Sequence, residues 1–93
     1  MLIGSAKILK VFNKEKNKQV LGGRVLDGKV MITNGGIKIK RQENEIGTGR
    51  IAGIQHNKET AKEVEKGSEF GIMIEAKIEL APGDIIEIIE KIS

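Results

Sequence analysis

The chain has 93 residues, 39% apolar and 31% charged, with 16 Lys/Arg against 13 Asp/Glu for a net charge of +3. That length supports one domain with one core, and the balance of apolar to charged residues excludes a disordered tail. With no cysteine and one histidine, His56, disulfide frameworks, thiol catalysis and zinc ribbons are excluded, and no apolar run approaches the roughly 18–20 residues of a membrane span.

Period-two alternation recurs along the chain, broken by turn residues. Residues 6–12 read as a first strand, followed by a Lys-rich loop over 13–18. Residues 19–26 resume the strand pattern, and Gly22-Gly23 within it marks a bulge or a close backbone approach. Asp27-Gly28 reads as a turn, with a strand over 29–33. Asn34-Gly35 favours a tight primed turn, which predicts a hairpin joining 31–33 to 36–40. Residues 46–55 form a long strand with glycines at 47, 49 and 53, and 56–61 read as a loop. Residues 62–66 suit a short strand or one helical turn equally. Residues 69–76 make an Ile-rich strand, Pro82-Gly83 fits the centre of a type II turn, and 84–91 close the chain.

β-Branched residues number 24 of 93 (sixteen Ile, five Val, three Thr), which favours pleated structure. Turn signals every 8–12 residues predict an all-β fold, a small closed antiparallel Greek-key barrel. Charge is unevenly placed. Residues 1–58 hold 12 Lys/Arg against 4 Asp/Glu, whereas residues 59–93 hold 4 against 9. Such a chain either presents one basic and one acidic face or interleaves the two signs so that they cancel.

Chemical motifs are few. Gly23-Arg-Val-Leu-Asp-Gly28-Lys29 matches seven positions of a phosphate loop, but Val30 stands where a Ser or Thr should hold magnesium. No helix follows to meet phosphates at its N-terminus. Gly47, Gly49 and Gly53 miss the dinucleotide spacing by one residue. His56 beside Asn57 and Lys58 has no triad around it, and the pairs Glu63/Glu65 and Glu87/Glu90 fall on solvated strand faces. No catalytic residues, metal or cofactor are expected. Lys38, Lys40, Arg41, Arg50, Lys58 and Lys62 make a candidate basic face for nucleic acid. With Phe12 and Phe70 the only aromatic residues, a multi-ring stacking platform is excluded.

Ser5-Ala-Lys-Ile-Leu-Lys-Val-Phe12 and Val20-Leu-Gly-Gly-Arg-Val-Leu-Asp-Gly28 resemble the opening of the C-terminal domain of bacterial translation initiation factor two. The resemblance continues through Ile51-Ala-Gly-Ile-Gln-His-Asn-Lys-Glu-Thr60, Glu63-Val-Glu-Lys-Gly-Ser-Glu-Phe-Gly-Ile72 and Pro82-Gly-Asp-Ile-Ile-Glu87. It covers nearly the whole chain. The resemblance implies a barrel like the second domain of elongation factor Tu, a single domain over residues 1–93, as a C-terminal fragment of a larger translational GTPase whose GTP-binding domain lies upstream. It also implies a non-enzymatic role: binding the formylmethionyl acceptor end of initiator tRNA, with the ribosome contacted through the parent factor. A cytoplasmic monomer without membrane contact follows from the same reading. The alternative is a non-catalytic protein- or ribosome-interaction barrel of another translational GTPase.

Carried over by position, the family's recognition loop falls on Gln55, His56, Asn57 and Lys58. A second segment falls on Glu69, Phe70 and Gly71, and a third on Gly23 beside Gly22. Formylation removes the amino group's charge, so such a site needs backbone hydrogen bonds and apolar walls. Lys58 would meet a phosphate as a point charge. Glu69 would position the pocket, and Phe70 would pack against the methionine or the terminal base, or fill the core instead. The family more usually carries a basic-aromatic loop at Gln55-His56-Asn57 and often cysteine at the places of Gly23 and Phe70.

Overall fold

The computed structural model describes residues 1–91. Eight strands follow one another: β1 (Leu2–Glu15), β2 (Lys18–Met31), β3 (Ile37–Arg41), β4 (Asn44–His56), β5 (Glu59–Thr60), β6 (Glu63–Glu65), β7 (Glu69–Ala76) and β8 (Ile85–Ile89). Six of them close an antiparallel ring in the order β1-β8-β3-β4-β7-β2 and back to β1, with β6 extending β2 and β5 hairpinned to β4. The predicted Greek-key barrel is the observed one. β7 lies between β4 and β2, and β8 between β3 and β1, so each late strand fills a gap left by earlier hairpins.

Alternation explains the interior. Ile37 and Ile39, Ile72 and Ile74, and Ile86 and Ile88 all point inward and are at most 2% exposed, joined by Ala6, Ile8, Leu21 and Val25. β-Branched side chains keep their preferred rotamers on such a surface, and each fully buried one contributes about 1.5–3 kcal/mol by leaving water. Among the described residues two polar side chains, Gln19 and Asp84, are also buried, and both tie down the connection from β7 to β8. Gln19 donates from Nε2 to the Ile78 carbonyl and accepts from the Leu80 amide at Oε1, each at 2.8 Å. Asp84 accepts two bonds from Arg41, both 2.9 Å, and a third of 2.9 Å from the Ala81 amide. The Arg41 guanidinium, followed by the Ala81 amide, holds the Asp84 carboxyl below the usual carboxylate range against the opposing effect of burial. The type II turn at Pro82-Gly83 is present, closed by Asp84 N to Ala81 O at 3.0 Å.

Several sequence expectations change. Asp27-Gly28 is not a turn: β2 runs straight through it, and Gly28, at φ 60°, packs against Gly4 of β1. A Cβ at Gly28 would come within 2.2 Å of the Ile3 carbonyl, so the glycine is required by close strand approach. The hairpin at Asn34-Gly35 does not form either. β3 pairs with β4 and β8, not with β2. Thr33 Oγ1 donates instead to the Ile89 carbonyl, and Asn34 Oδ1 accepts from the Lys91 amide at 3.1 Å. These side chains satisfy the end of β8 as the chain crosses the barrel end, which wins over a local primed turn. Residues 62–66 contain strand β6, not a helical turn.

The charge asymmetry resolves into cancellation over most of the surface. Of the eight ion pairs among the described residues, seven join a cation from residues 1–58 to a carboxylate from residues 59–93. Lys38, Lys40, Arg41 and Arg50, expected on a basic face, are paired with Glu45, Glu87, Asp84 and Glu75.

Candidate functional site

The register of β2, β7 and β4 sets up the site. Gly22 lies opposite Gly71, and Gly71 lies opposite Gln55, so three distant stretches meet on neighbouring strands. Beyond Gln55 the chain turns back at once. Asn57 and Lys58 have φ of 54° and 66° between His56 and Glu59, the two left-handed central residues of a primed hairpin turn. The expected loop over 56–61 is therefore a two-residue turn followed by β5, which fixes Lys58 far more tightly than a loop would.

Around this meeting point lies a cleft of about 340 Å³ lined by Leu9, Lys10, Phe12, Gly22, Gly23, Gln55, Asn57, Lys58, Glu69, Phe70 and Gly71. Seven of the eight site residues expected from sequence line it. His56 does not: it ends β4, opposite Glu59, outside the lining.

Phe70 forms the floor. It is 6% exposed and packs with the barrel core, and its ring lies under Gly23. A Cβ at Gly23 would stand 3.1 Å from Phe70 Cζ and 2.8 Å from the Lys7 carbonyl. A side chain at 23 would therefore meet the β1 backbone first and the Phe70 ring second. On the outer side, a Cβ at Gly22 would stand 2.9 Å from Phe12 Cε2, so Phe12 rests on bare backbone.

Leu9, Lys10 and Phe12 were not assigned to the site from sequence. Their placement comes from irregular pairing of β1. Ile8 pairs with Gly23 and Lys10 with Gly22, leaving Leu9 extra; Val11 pairs with Leu21 and Asn13 with Val20, leaving Phe12 extra. The expected bulge at Gly22-Gly23 is thus on the partner strand. Two bulges re-aim an apolar side chain each, and both end in the cleft wall, Leu9 at 41% and Phe12 at 62% exposed. The available signal was the lapse of strict alternation at Ile8-Leu9 and Val11-Phe12, and in the structure residues 9–12 are all exposed.

Electrostatically the cleft differs from the rest of the surface. Lys10 and Lys58 make no ion pair among the described residues, while Glu69 is bonded by Arg24 Nη2 at 3.2 Å. A more apolar hollow of about 510 Å³ shares Gln55 and Gly71 with it and continues past Val20, Gly53 and Met73. A larger depression of about 670 Å³ lies at the opposite ends of β4 and β7, but its Arg50 and Glu75 charges neutralise each other at 2.7 Å. The cleft can hold a small, largely uncharged group against apolar walls with a negative group at its rim. No cluster of His, Asp and Glu suited to a metal ion occurs among the described residues.

Residues 4–87 match the sequence profile of the elongation factor Tu domain 4 family. The chain is 37% identical over 90 residues to translation initiation factor IF-2 of Lawsonia intracellularis, covering 97% of this chain and 9% of that protein. It is 36% identical over 88 residues to translation initiation factor IF-2 of Myxococcus xanthus, covering 95% of this chain and 8% of that protein. This chain therefore spans less than a tenth of the length of those two relatives. The fold is shared with the apo form of translation elongation factor SelB from Methanococcus maripaludis, at a TM-score of 0.73 and 18% identity over 94% of this chain and 19% of that one. A closed barrel of this topology, together with a profile match over almost all of its strands, shows that the chain belongs to the elongation factor Tu domain 4 family, as a barrel domain of the translation initiation factor type.

Proposed function

We propose that the cleft binds the formylmethionyl acceptor end of initiator tRNA, and that the barrel does so by binding alone, without catalysis. One observation carries this reading: residues 22–23, 55, 57–58 and 69–71, far apart in the chain, line one cleft. An N-formylated aminoacyl ester is uncharged at its amino end. Leu9, Phe12 and the edge of Phe70 offer it apolar contact, and the bare backbone at Gly22, Gly23 and Gly71 allows close approach. The neighbouring hollow by Val20 and Met73 offers space for an unbranched thioether side chain. Lys10 and Lys58 at the rim meet the phosphates of the single-stranded terminus, and Phe12 presents the one exposed ring on which a base can stack. In this reading the barrel serves a larger cytoplasmic translation factor, which supplies the ribosomal contacts and any GTP hydrolysis.

The test is the affinity for formylmethionyl- and methionyl-initiator tRNA at about 150 mM salt. The formylated form is expected to bind at least about tenfold more tightly. Equal affinities, or no binding of either, would overturn the proposal.

A second reading has its own observation. Met1, Leu2 and Ile32 are 64%, 56% and 49% exposed. They gather near the end of β8, where Leu2 pairs with Ile89 and the adjoining Thr33 bonds its carbonyl. An apolar patch there suits contact with a protein or ribosomal surface, and such a barrel would bind no aminoacyl end.

A further inference from the structure

An acid in a cleft meant for an RNA terminus is a contradiction, since a carboxylate repels phosphate and attracts a free ammonium. Glu69 is such an acid, and it lines the cleft. Its partner is Arg24, directly opposite in the β2–β7 register, which donates from Nη2 to Oε2 at 3.2 Å. Arg24 itself is not part of the lining; it reaches the cleft only through Glu69. The charged groups around Glu69 are Arg24 opposite it on β2, Lys7 opposite Arg24 on β1, and Lys10 and Lys58, which line the cleft with it. With Arg24 in place the carboxylate is offset and both cleft lysines remain uncompensated. Without it, Glu69 would offset one of those lysines and offer a ligand's ammonium group an anionic partner.

We propose that Arg24 is a specificity-determining positioning residue, which withholds the Glu69 carboxylate from a protonated α-amino group and so lets the cleft favour N-acylated over free aminoacyl ends. The inference rests on the reading of the cleft as an acceptor-end site. The pair is solvent-exposed, with side chains 54% and 66% accessible, so its effect is a modest and salt-sensitive bias. The free amine of an aminoacyl end is largely protonated at pH 7 if it titrates near the usual range of about 7.7–8.0. Formylation removes that charge at every pH.

The experiment measures the affinities of formylmethionyl- and methionyl-initiator tRNA for the wild-type domain, Arg24→Gln, and the double variant Arg24→Gln/Glu69→Gln. Arg24→Gln is expected to shrink the preference for the formylated form by about three- to fivefold, chiefly by tighter binding of the free-amine form. That gain is expected to vanish above about pH 8, as the amine loses its proton. The double variant is expected to regain the wild-type preference, because the carboxylate is then gone as well. A wild-type domain that discriminates while Arg24→Gln discriminates equally well would overturn the role of Arg24 alone. A shrunken preference that is independent of pH, or one that the double variant does not restore, would also overturn it, assigning Arg24 a purely structural part. A wild-type domain that binds neither form, or both alike, would overturn the acceptor-end reading and this inference together.

Discussion

Two arginine–carboxylate pairs occupy two contrasting regions of the barrel. At the β7–β8 connection, Asp84 has only 3% of its side chain accessible and receives three hydrogen bonds, two of them from Arg41. At the cleft, Glu69 receives one bond from Arg24, and both side chains are more than half accessible. The first pair is bidentate, dry on the acid's side and tied to backbone, so removing one partner leaves a buried group unsatisfied. The second is open to water and can exchange partners at little cost. The difference separates a region that holds the ring closed from one free to meet a ligand.

Substitutions sharpen that contrast. The largest effect is expected at the cleft floor, where Phe70→Ala removes a ring that belongs to the core as much as to the cleft. A loss of about 3–5 kcal/mol in denaturant-induced unfolding is expected. A loss near zero would place Phe70 outside the core. Phe70→Cys, with the residue more usual in the resembled family, is expected to lose less stability while deepening the cleft.

Next comes Asp84→Asn, expected to cost about 2–3 kcal/mol, because charge-assisted bonds from Arg41 and the Ala81 amide are lost or weakened. The same residue predicts a pH dependence. Its carboxyl is held below its unfolded value of about 3.9, so its contribution is fully present well above that pH. It is lost as pH falls from about 5 through the lowered folded value. Thermal melts of wild type and Asp84→Asn should therefore converge on acidification, and parallel curves would remove Asp84 as the cause.

The smallest effects belong to the open end. Lys58→Ala is expected to weaken RNA binding about three- to tenfold and to lower the salt slope by about one counterion, with melting unchanged. An unaltered slope would take Lys58 out of the interface. Phe12→Leu is expected to reduce affinity for a single-stranded terminus with stability nearly unchanged, whereas loss of stability alone would make Phe12 a cover for Gly22 and nothing more.

The core was legible in the sequence because period two is a strong local signal, and Ile37/Ile39 and Ile72/Ile74 carry it without interruption. Turn chemistry was legible where the turn is local, as at Pro82-Gly83. It misled at Asp27-Gly28 and Asn34-Gly35, where distant partners decide: Gly4 across the sheet in one case, Ile89 and Lys91 in the other. The resemblance marked Gly23, Gln55, His56, Asn57, Lys58, Glu69, Phe70 and Gly71, and all but His56 line one cleft. It did not mark Leu9, Lys10 or Phe12: the lapse of alternation at Ile8-Leu9 and Val11-Phe12 hints at a bulge, but its place and the side chains it re-aims depend on the register with β2. The split of charge between chain halves was visible, but its cancellation depends on which strands become neighbours.

The ring closes by pairing β1 with β8, so Leu2 meets Ile89 across nearly the whole chain. Chain-closure entropy must be paid before that contact gives anything back, so folding is expected in about the millisecond-to-second range of other non-local β topologies. Until β8 arrives, β1 and β3 each show a bare edge to passing polypeptides. Arg41 at the end of β3 and Asp84 just before β8 latch the last strand beside β3, so the pair that stabilises the finished barrel also keeps the β3 edge covered.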